Sequence, residues 1–317
     1  MFKKYIYIIF LILINQLFPE KIEFKSSSPF SFVDIISNLN NQKEQLVFGE
    51  LIIPEKLSSD KFPLIIGVAG SLGWKEHHLE QLEMYREMGI ATFELKSFES
   101  RDITSTVGTQ IDVTTAMLIL DSYRALDILS KHQSIDRDNI AITGWSLGGG
   151  TTLFSAWEPI INAINPDNRF AAHLSYYPPC IAQPENLIFS DVPIHILIGE
   201  LDNWTPSQSC VDFVKSVQKE GYDIDITVYE NSHHSFDSQL PITKVDRGYS
   251  LTECSFKIRD DGAVLMNFLN IPMTSPILQK IGLSLCANRG TTFGGNIQAR
   301  DNAHKFAKSF MQNHLLE

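Results

Sequence analysis

Five residues, Gly144-Trp145-Ser146-Leu147-Gly148, constrain this chain more than any other feature. They follow the apolar run Ile140-Ala141-Ile142 and lead through Gly149 and Gly150 into a stretch of helical character. A strand that turns sharply into a helix lifts the residue at its apex clear of the sheet, and glycines flank that residue because larger side chains would collide in so tight a turn. The pattern predicts a strand–turn–helix unit with the Ser146 hydroxyl exposed at its tip.

The rest of the chain supplies a sheet for that unit to belong to. Apolar runs of strand length recur at 64–68, 90–95, 140–143, 171–176, 194–198 and 224–229, with helical stretches at 76–88, 113–131, 147–157 and 207–220. This alternation predicts an α/β fold with a mostly parallel sheet and helices on both faces. The run Val192-Pro193-Ile194-His195-Ile196-Leu197-Ile198 is nearly all apolar, as a strand covered on both sides must be. Residues 46–53 alternate less cleanly and are expected to open the sheet as an antiparallel edge. A last helix near 297–315 places Ala299, Ala303, Phe306, Ala307 and Phe310 on one face, which reads as packing onto the body.

At 317 residues, with 44% hydrophobic and 20% charged residues, the chain can bury a sizeable core, and one domain over 28–317 is expected. A net charge of −11 without a basic patch disfavours nucleic acid and anionic membrane surfaces as partners. Residues 1–22 read as a signal peptide or N-terminal anchor, Lys3 and Lys4 preceding a mostly apolar stretch from Tyr5 to Phe18 that is short for a membrane span. Cleavage is expected between Phe18 and Ser28, giving a periplasmic or secreted protein with no stable membrane partner. Four cysteines, Cys180, Cys210, Cys254 and Cys286, allow three pairings in an oxidising compartment; pairing of sequence neighbours is preferred, and four buried thiols are the alternative if the N-terminal segment does not direct export.

A serine hydroxyl becomes a useful nucleophile only when a base takes its proton, and the base needs an acid to hold its tautomer. The two belong on loops beyond the carboxyl ends of later strands, in the order acid then histidine. Asp202, in Gly199-Glu200-Leu201-Asp202-Asn203-Trp204-Thr205-Pro206, follows the buried run that ends at Ile198; Glu200 is its rival. His234, in Asn231-Ser232-His233-His234-Ser235-Phe236-Asp237, follows the last apolar run; His233 competes with it. His77 and His78 precede the serine and suit the wall of a site better than the base. Oxyanion donors are expected from the backbone N–H of Leu147 and of Ser71, the latter in the small-residue loop Ala69-Gly70-Ser71-Leu72-Gly73. Trp145 and Trp204 flank the expected nucleophile and acid and suit either a substrate wall or core packing. No cofactor or metal is implied.

Together these residues resemble the dienelactone hydrolase family, in particular its exported members with a serine nucleophile. The matching segments are Phe98-Glu99-Ser100-Arg101, 140–150, Tyr176-Tyr177-Pro178-Pro179-Cys180, 199–206, 233–237 and Arg289-Gly290-Thr291-Thr292-Phe293-Gly294-Gly295-Asn296, so the resemblance runs from residue 46 nearly to the end. It implies an α/β-hydrolase fold, hydrolysis of a small-molecule ester or lactone, and a triad of Ser146, Asp202 and His234. Two positions depart from the family: serine replaces the cysteine of its better-known members, and Ala69 stands where a histidine often precedes the glycine. Arg101, with Gln110, is a candidate for holding a substrate carboxylate, an ion pair or a loop anchor being the other reading. Peptide or polyester hydrolysis by the same triad, or a binding module on the same scaffold, are the competing readings.

Overall fold

The computed structural model describes residues 19–55 and 61–317; the N-terminal segment read as a leader lies outside them up to residue 18. The chain opens with β1 (Glu20–Ser27), α1 (Phe32–Ile36), β2 (Glu44–Ile52), β3 (Phe62–Val68), α2 (Glu76–Glu87) and β4 (Ala91–Leu95). It continues through α3 (Thr115–Leu129), β5 (Ile135–Trp145), α4 (Leu147–Phe154), α5 (Glu158–Ile164), β6 (His173–Tyr176) and β7 (Ala182–Pro184). Next come β8 (Ile194–Gly199), α6 (Ser207–Lys219), β9 (Ile224–Tyr229), β10 (Thr243–Ser250), β11 (Phe256–Ile258) and β12 (Val264–Leu265), and the chain closes with α7 (Pro276–Ser284), β13 (Asn288–Phe293) and α8 (Ile297–Leu315).

Eight strands form one sheet in the order β1-β2-β4-β3-β5-β6-β8-β9. From β4 to β9 all neighbours are parallel, and β2 runs against both β1 and β4. This is the α/β architecture read from the alternation of apolar runs. Every residue of β8 is buried, as its unbroken apolar sequence requires. The antiparallel strand at 46–53 is present as β2 but is not the edge. Glu20–Ser27 add β1 outside it, ahead of the expected domain start at 28 and overlapping the end of the 1–22 segment.

α3 is apolar almost all round and buried along most of its length, packed against β1 and α4, with Thr114 accepting the Met117 N–H at its start. α8 buries Ala299, Ala303, Ala307, Phe310 and Met311, and the Phe306 ring lies tilted against that of His195 at a centroid distance of 4.2 Å.

Between β9 and α8 the chain builds a layer that the sequence did not announce. β10 pairs with β13, a second small sheet has the order β12-β11-β7, and α7 lies between. Its apolar cluster gathers Ile181, Tyr249, Phe256, Met266, Met273 and Leu283, separate from the main core. Cys254 and Cys286 are joined across this layer, and Cys180 and Cys210 tie the segment after β6 to α6. No helix among the described residues is long and apolar enough to cross a membrane.

Candidate active site

The parallel order of the sheet brings the carboxyl ends of β3, β5, β8 and β9 to one edge, and each contributes one part of the site. β5 ends at Trp145 and α4 begins at Leu147, so Ser146 carries the whole turn, with φ 57° and ψ −112°. A non-glycine residue held there stores roughly 1–3 kcal/mol, which the surrounding packing must sustain. Two glycines make that packing fit: a Cβ on Gly144 would sit 2.3 Å from the Gly148 carbonyl oxygen, and one on Gly148 would sit 2.1 Å from that of Val68. α4 is thereby held against the ends of β5 and β3, with Ser146 above them.

His234 comes from the loop after β9. Its Nε2 lies 2.9 Å from Ser146 Oγ, and its Nδ1 lies 2.7 Å from Asp202 Oδ2. Asp202 follows β8; its Oδ1 accepts the backbone N–H groups of Trp204 (2.9 Å) and Thr205 (2.8 Å), and the Thr205 hydroxyl lies 2.9 Å from Oδ2. Asp202 and His234 are both buried. A carboxylate fixed on one oxygen by two amides presents the other to Nδ1, which places the Nδ1 proton between them and leaves Nε2 free to accept from Ser146. The rings of Tyr177 and Trp204 bracket the imidazole at centroid distances of 4.6 and 5.0 Å. This is a relay along which the serine proton can pass to the imidazole while the carboxylate balances the imidazolium.

The competing residues lie elsewhere. The exposed Glu200 accepts the Asn231 N–H, and His233 Nδ1 is 2.9 Å from the Thr292 hydroxyl. Among the described residues no cluster of three or more His, Cys, Asp or Glu is gathered that would suit a metal.

Leu147 is the first residue of α4, so its N–H has no acceptor within the helix. Ser71 sits in the turn closed by the Gly73 N–H on the Gly70 carbonyl, a bond that leaves the Ser71 N–H uncommitted. Gly70 brings this loop against Ser146: a Cβ there would lie 3.4 Å from that of Ser146. Both expected oxyanion donors therefore border the space above Ser146.

Two cavities meet at Ser146. One, of about 210 Å³, is bordered by Leu147, Ser71, Gln110 and Trp204 and is closed by the layer after β9. The other, of about 250 Å³, is bordered by His234, His77, His78, Tyr177, Trp204 and an edge of Trp145. Trp204 thus forms a wall of both. Trp145 is chiefly a core residue, wholly buried, its ring stacked on those of His78 (4.4 Å) and Tyr176 (5.6 Å). Burial holds the imidazoles of His77 and His78 below their ordinary pKa, His78 well below and further lowered by its neighbour His77, so both line the cavity as neutral rings.

Arg101 is corrected by the structure. Its guanidinium grips Asp121 through two bonds of 2.7 and 3.2 Å and also donates to the carbonyls of Ser97 and Ser27 and the hydroxyl of Ser28. It borders neither cavity, because a wholly buried carboxylate twenty residues away claims its planar donor set and ties β1 to α3. Gln110 does border the first cavity, where its Oε1 lies 3.4 Å from the Ser71 hydroxyl.

Sequence reasoning passed over Asp237. This wholly buried carboxylate accepts the Trp145 indole N–H at 3.0 Å and the Tyr177 hydroxyl at 2.9 Å, joining the residue before Ser146 to the ring beside His234. Its only signal was its place at the end of the matching segment 233–237, in a loop that is polar apart from Phe236.

The sequence model of the dienelactone hydrolase family matches residues 83–250, more than half of the chain and the part that carries Ser146, Asp202 and His234. The chain belongs to the dienelactone hydrolase family. As a member it is a hydrolase acting on ester bonds. Among solved structures, this family member is similar to a protein described as a dienelactone hydrolase from Klebsiella pneumoniae subsp. pneumoniae, with 16% identity over 69% of this chain and 89% of that one and a TM-score of 0.51, which shows a shared fold. It is also similar to the Est2 esterase of Thermogutta terrifontis (16% identity, 67% and 86% covered, TM-score 0.49) and to Est1E from Butyrivibrio proteoclasticus (16%, 61% and 88%, 0.46). None of the curated proteins compared matches it.

Proposed function

We propose that this family member is an exported serine esterase working through an acyl-enzyme. Ser146 Oγ attacks the ester carbonyl as His234 Nε2 takes its proton, and Asp202 holds His234 in the required tautomer. Leu147 and Ser71 N–H groups receive the oxyanion, each such donor contributing about 10² to 10³ in rate. The observation that carries the reading is the unbroken line Asp202–His234–Ser146, with links of 2.7 and 2.9 Å. Fluorophosphonate labelling followed by intact-mass and peptide mapping tests it. One adduct on Ser146, absent from Ser146→Ala, is expected; a folded protein that takes no label would favour a binding role.

Export is supported by the two disulfides, which persist in oxidising compartments. Cleavage of the expected leader ahead of Glu20 would leave β1 whole, and β1 is anchored by the Ser26 hydroxyl on Asp121 and the Ser27 carbonyl on Arg101. N-terminal sequencing of protein recovered outside the cytoplasm checks this; a mature chain starting beyond Ser27 would overturn it.

A further inference from the structure

Both cavities open on Ser146, but only the second is lined by His234. That asymmetry assigns the two halves of an ester. When the tetrahedral intermediate collapses, the carbon–oxygen bond to the alcohol breaks and the departing oxygen takes the proton that His234 Nε2 received from Ser146, so the alcohol must lie beside His234. Water then adds its hydroxyl to the acyl carbon, the bond from that carbon to Ser146 Oγ breaks, and the water proton passes through His234 to Ser146 Oγ as the acid is released. Between these two steps the acyl group is held on Ser146 and occupies the other cavity.

The described residues that line this first cavity include no Asp, Glu, Lys, Arg or His. Its walls are apolar, among them Phe30, Phe154, Leu251, Phe256, Met273 and Leu283, and its polar groups are hydroxyls and the amides of Gln110 and Gln279. A carboxylate placed there would lose its hydration without gaining a cation. Arg101, the side chain expected to supply a cation, is bound to Asp121. The second cavity has Lys75 at its border.

We propose that the substrate is an ester of an uncharged, apolar acyl group, seated between the core and the layer that follows β9, whose alcohol leaves through the cavity lined by His234. The proposal rests on the acyl-enzyme reading above and adds the substrate class. Leu251, Phe256, Met273 and Leu283 make that layer the specificity-determining wall, and Cys254–Cys286 fastens it.

The test measures kcat/KM on p-nitrophenyl acetate, p-nitrophenyl hexanoate and mono-p-nitrophenyl glutarate, which share a leaving group. Hexanoate is expected to exceed acetate by at least about tenfold and the anionic glutarate by about a hundredfold. Leu283→Trp should cut the hexanoate-to-acetate ratio about tenfold. Val107→Trp, at the second cavity, should leave that ratio alone and change the ratio of p-nitrophenyl to methyl hexanoate. If Leu283→Trp unfolds, as judged by its thermal transition, Ala182→Leu on the same wall replaces it. Glutarate turned over as well as hexanoate, or an acyl ratio that responds to Val107→Trp and not to the first-cavity variant, overturns the proposal. Failure of Ser146 to label would instead sink the acyl-enzyme reading, so the two outcomes are distinguishable.

Discussion

The indole N–H of Trp145 donates to the buried carboxylate of Asp237 at 3.0 Å, across 92 residues of sequence. The same carboxylate takes the hydroxyl of Tyr177, whose ring lies 4.6 Å from that of His234. One acid therefore couples the strand that presents Ser146 to the loop that presents His234. Asp237→Ala leaves two buried donors unpaired, at about 1–3 kcal/mol each. A lowered melting temperature together with a reduced kcat is expected. Asp237→Asn, whose amide can still accept the indole proton and donate to the tyrosine oxygen, should lose less of both. Thermal unfolding and steady-state kinetics on the three proteins check this.

Asp202→Asn should leave the fold intact and lower kcat by roughly 10⁴, with KM little changed. The reason lies in the surroundings of Asp202: two backbone N–H groups converge on Oδ1, so the amide must turn its oxygen toward them and its NH₂ toward His234. Nδ1 then accepts a hydrogen bond, the imidazole proton moves to Nε2, and the imidazole can no longer take the proton of Ser146. Kinetics normalised to protein mass and to thermal stability check it; a variant with near-native kcat would remove Asp202 from the mechanism.

The parts of this molecule legible in its sequence are those fixed by local period and by position relative to a strand. β8 could be read because a strand covered on both faces must be apolar throughout, and Ser146, Asp202 and His234 could be placed on loops because each follows the carboxyl end of a run of strand length. β1, whose first residues are exposed and charged, carries no such pattern. The layer after β9 escaped because β11 and β12 have three and two residues, too few for alternation, and because α7 has apolar residues on exposed as well as buried sides. Asp237 and Arg101 were opaque for another reason. Their meaning lies in partners that only the folded chain brings near, and a sequence displays the charge without the partner.

Arg101 separates a structural anchor from a substrate clamp. Removing one member of a buried ion pair strands the other, at about 3–5 kcal/mol. Arg101→Ala should therefore lower the free energy of unfolding by that amount while the KM for neutral esters in the surviving folded protein stays near the native value. Denaturant titration and ester kinetics are the measurements. A raised KM with unchanged stability would return Arg101 to the substrate.

Acid should destabilise the protein through histidines that the fold keeps neutral. Burial pushes His173 down to about 4, only partly offset by the Thr152 carbonyl that its Nδ1–H meets at 2.9 Å, and it likewise holds His195 at about 4. In the unfolded chain these imidazoles titrate near 6.5. Below that pH the unfolded state binds protons that the folded state refuses, so stability present above about pH 6.5 is lost progressively down to about pH 4, where the folded imidazoles begin to accept them. For the deeply buried His173 the loss across this window is about 3 kcal/mol. His173→Asn, whose amide N–H can still reach the Thr152 carbonyl but does not titrate, should be less stable than the native protein at pH 7 or close to it, and should lose less on going to pH 5. Denaturant midpoints of the two proteins at pH 7, 6 and 5 decide the matter. Parallel losses would mean that His173 is protonated as easily in the folded chain as in the unfolded one.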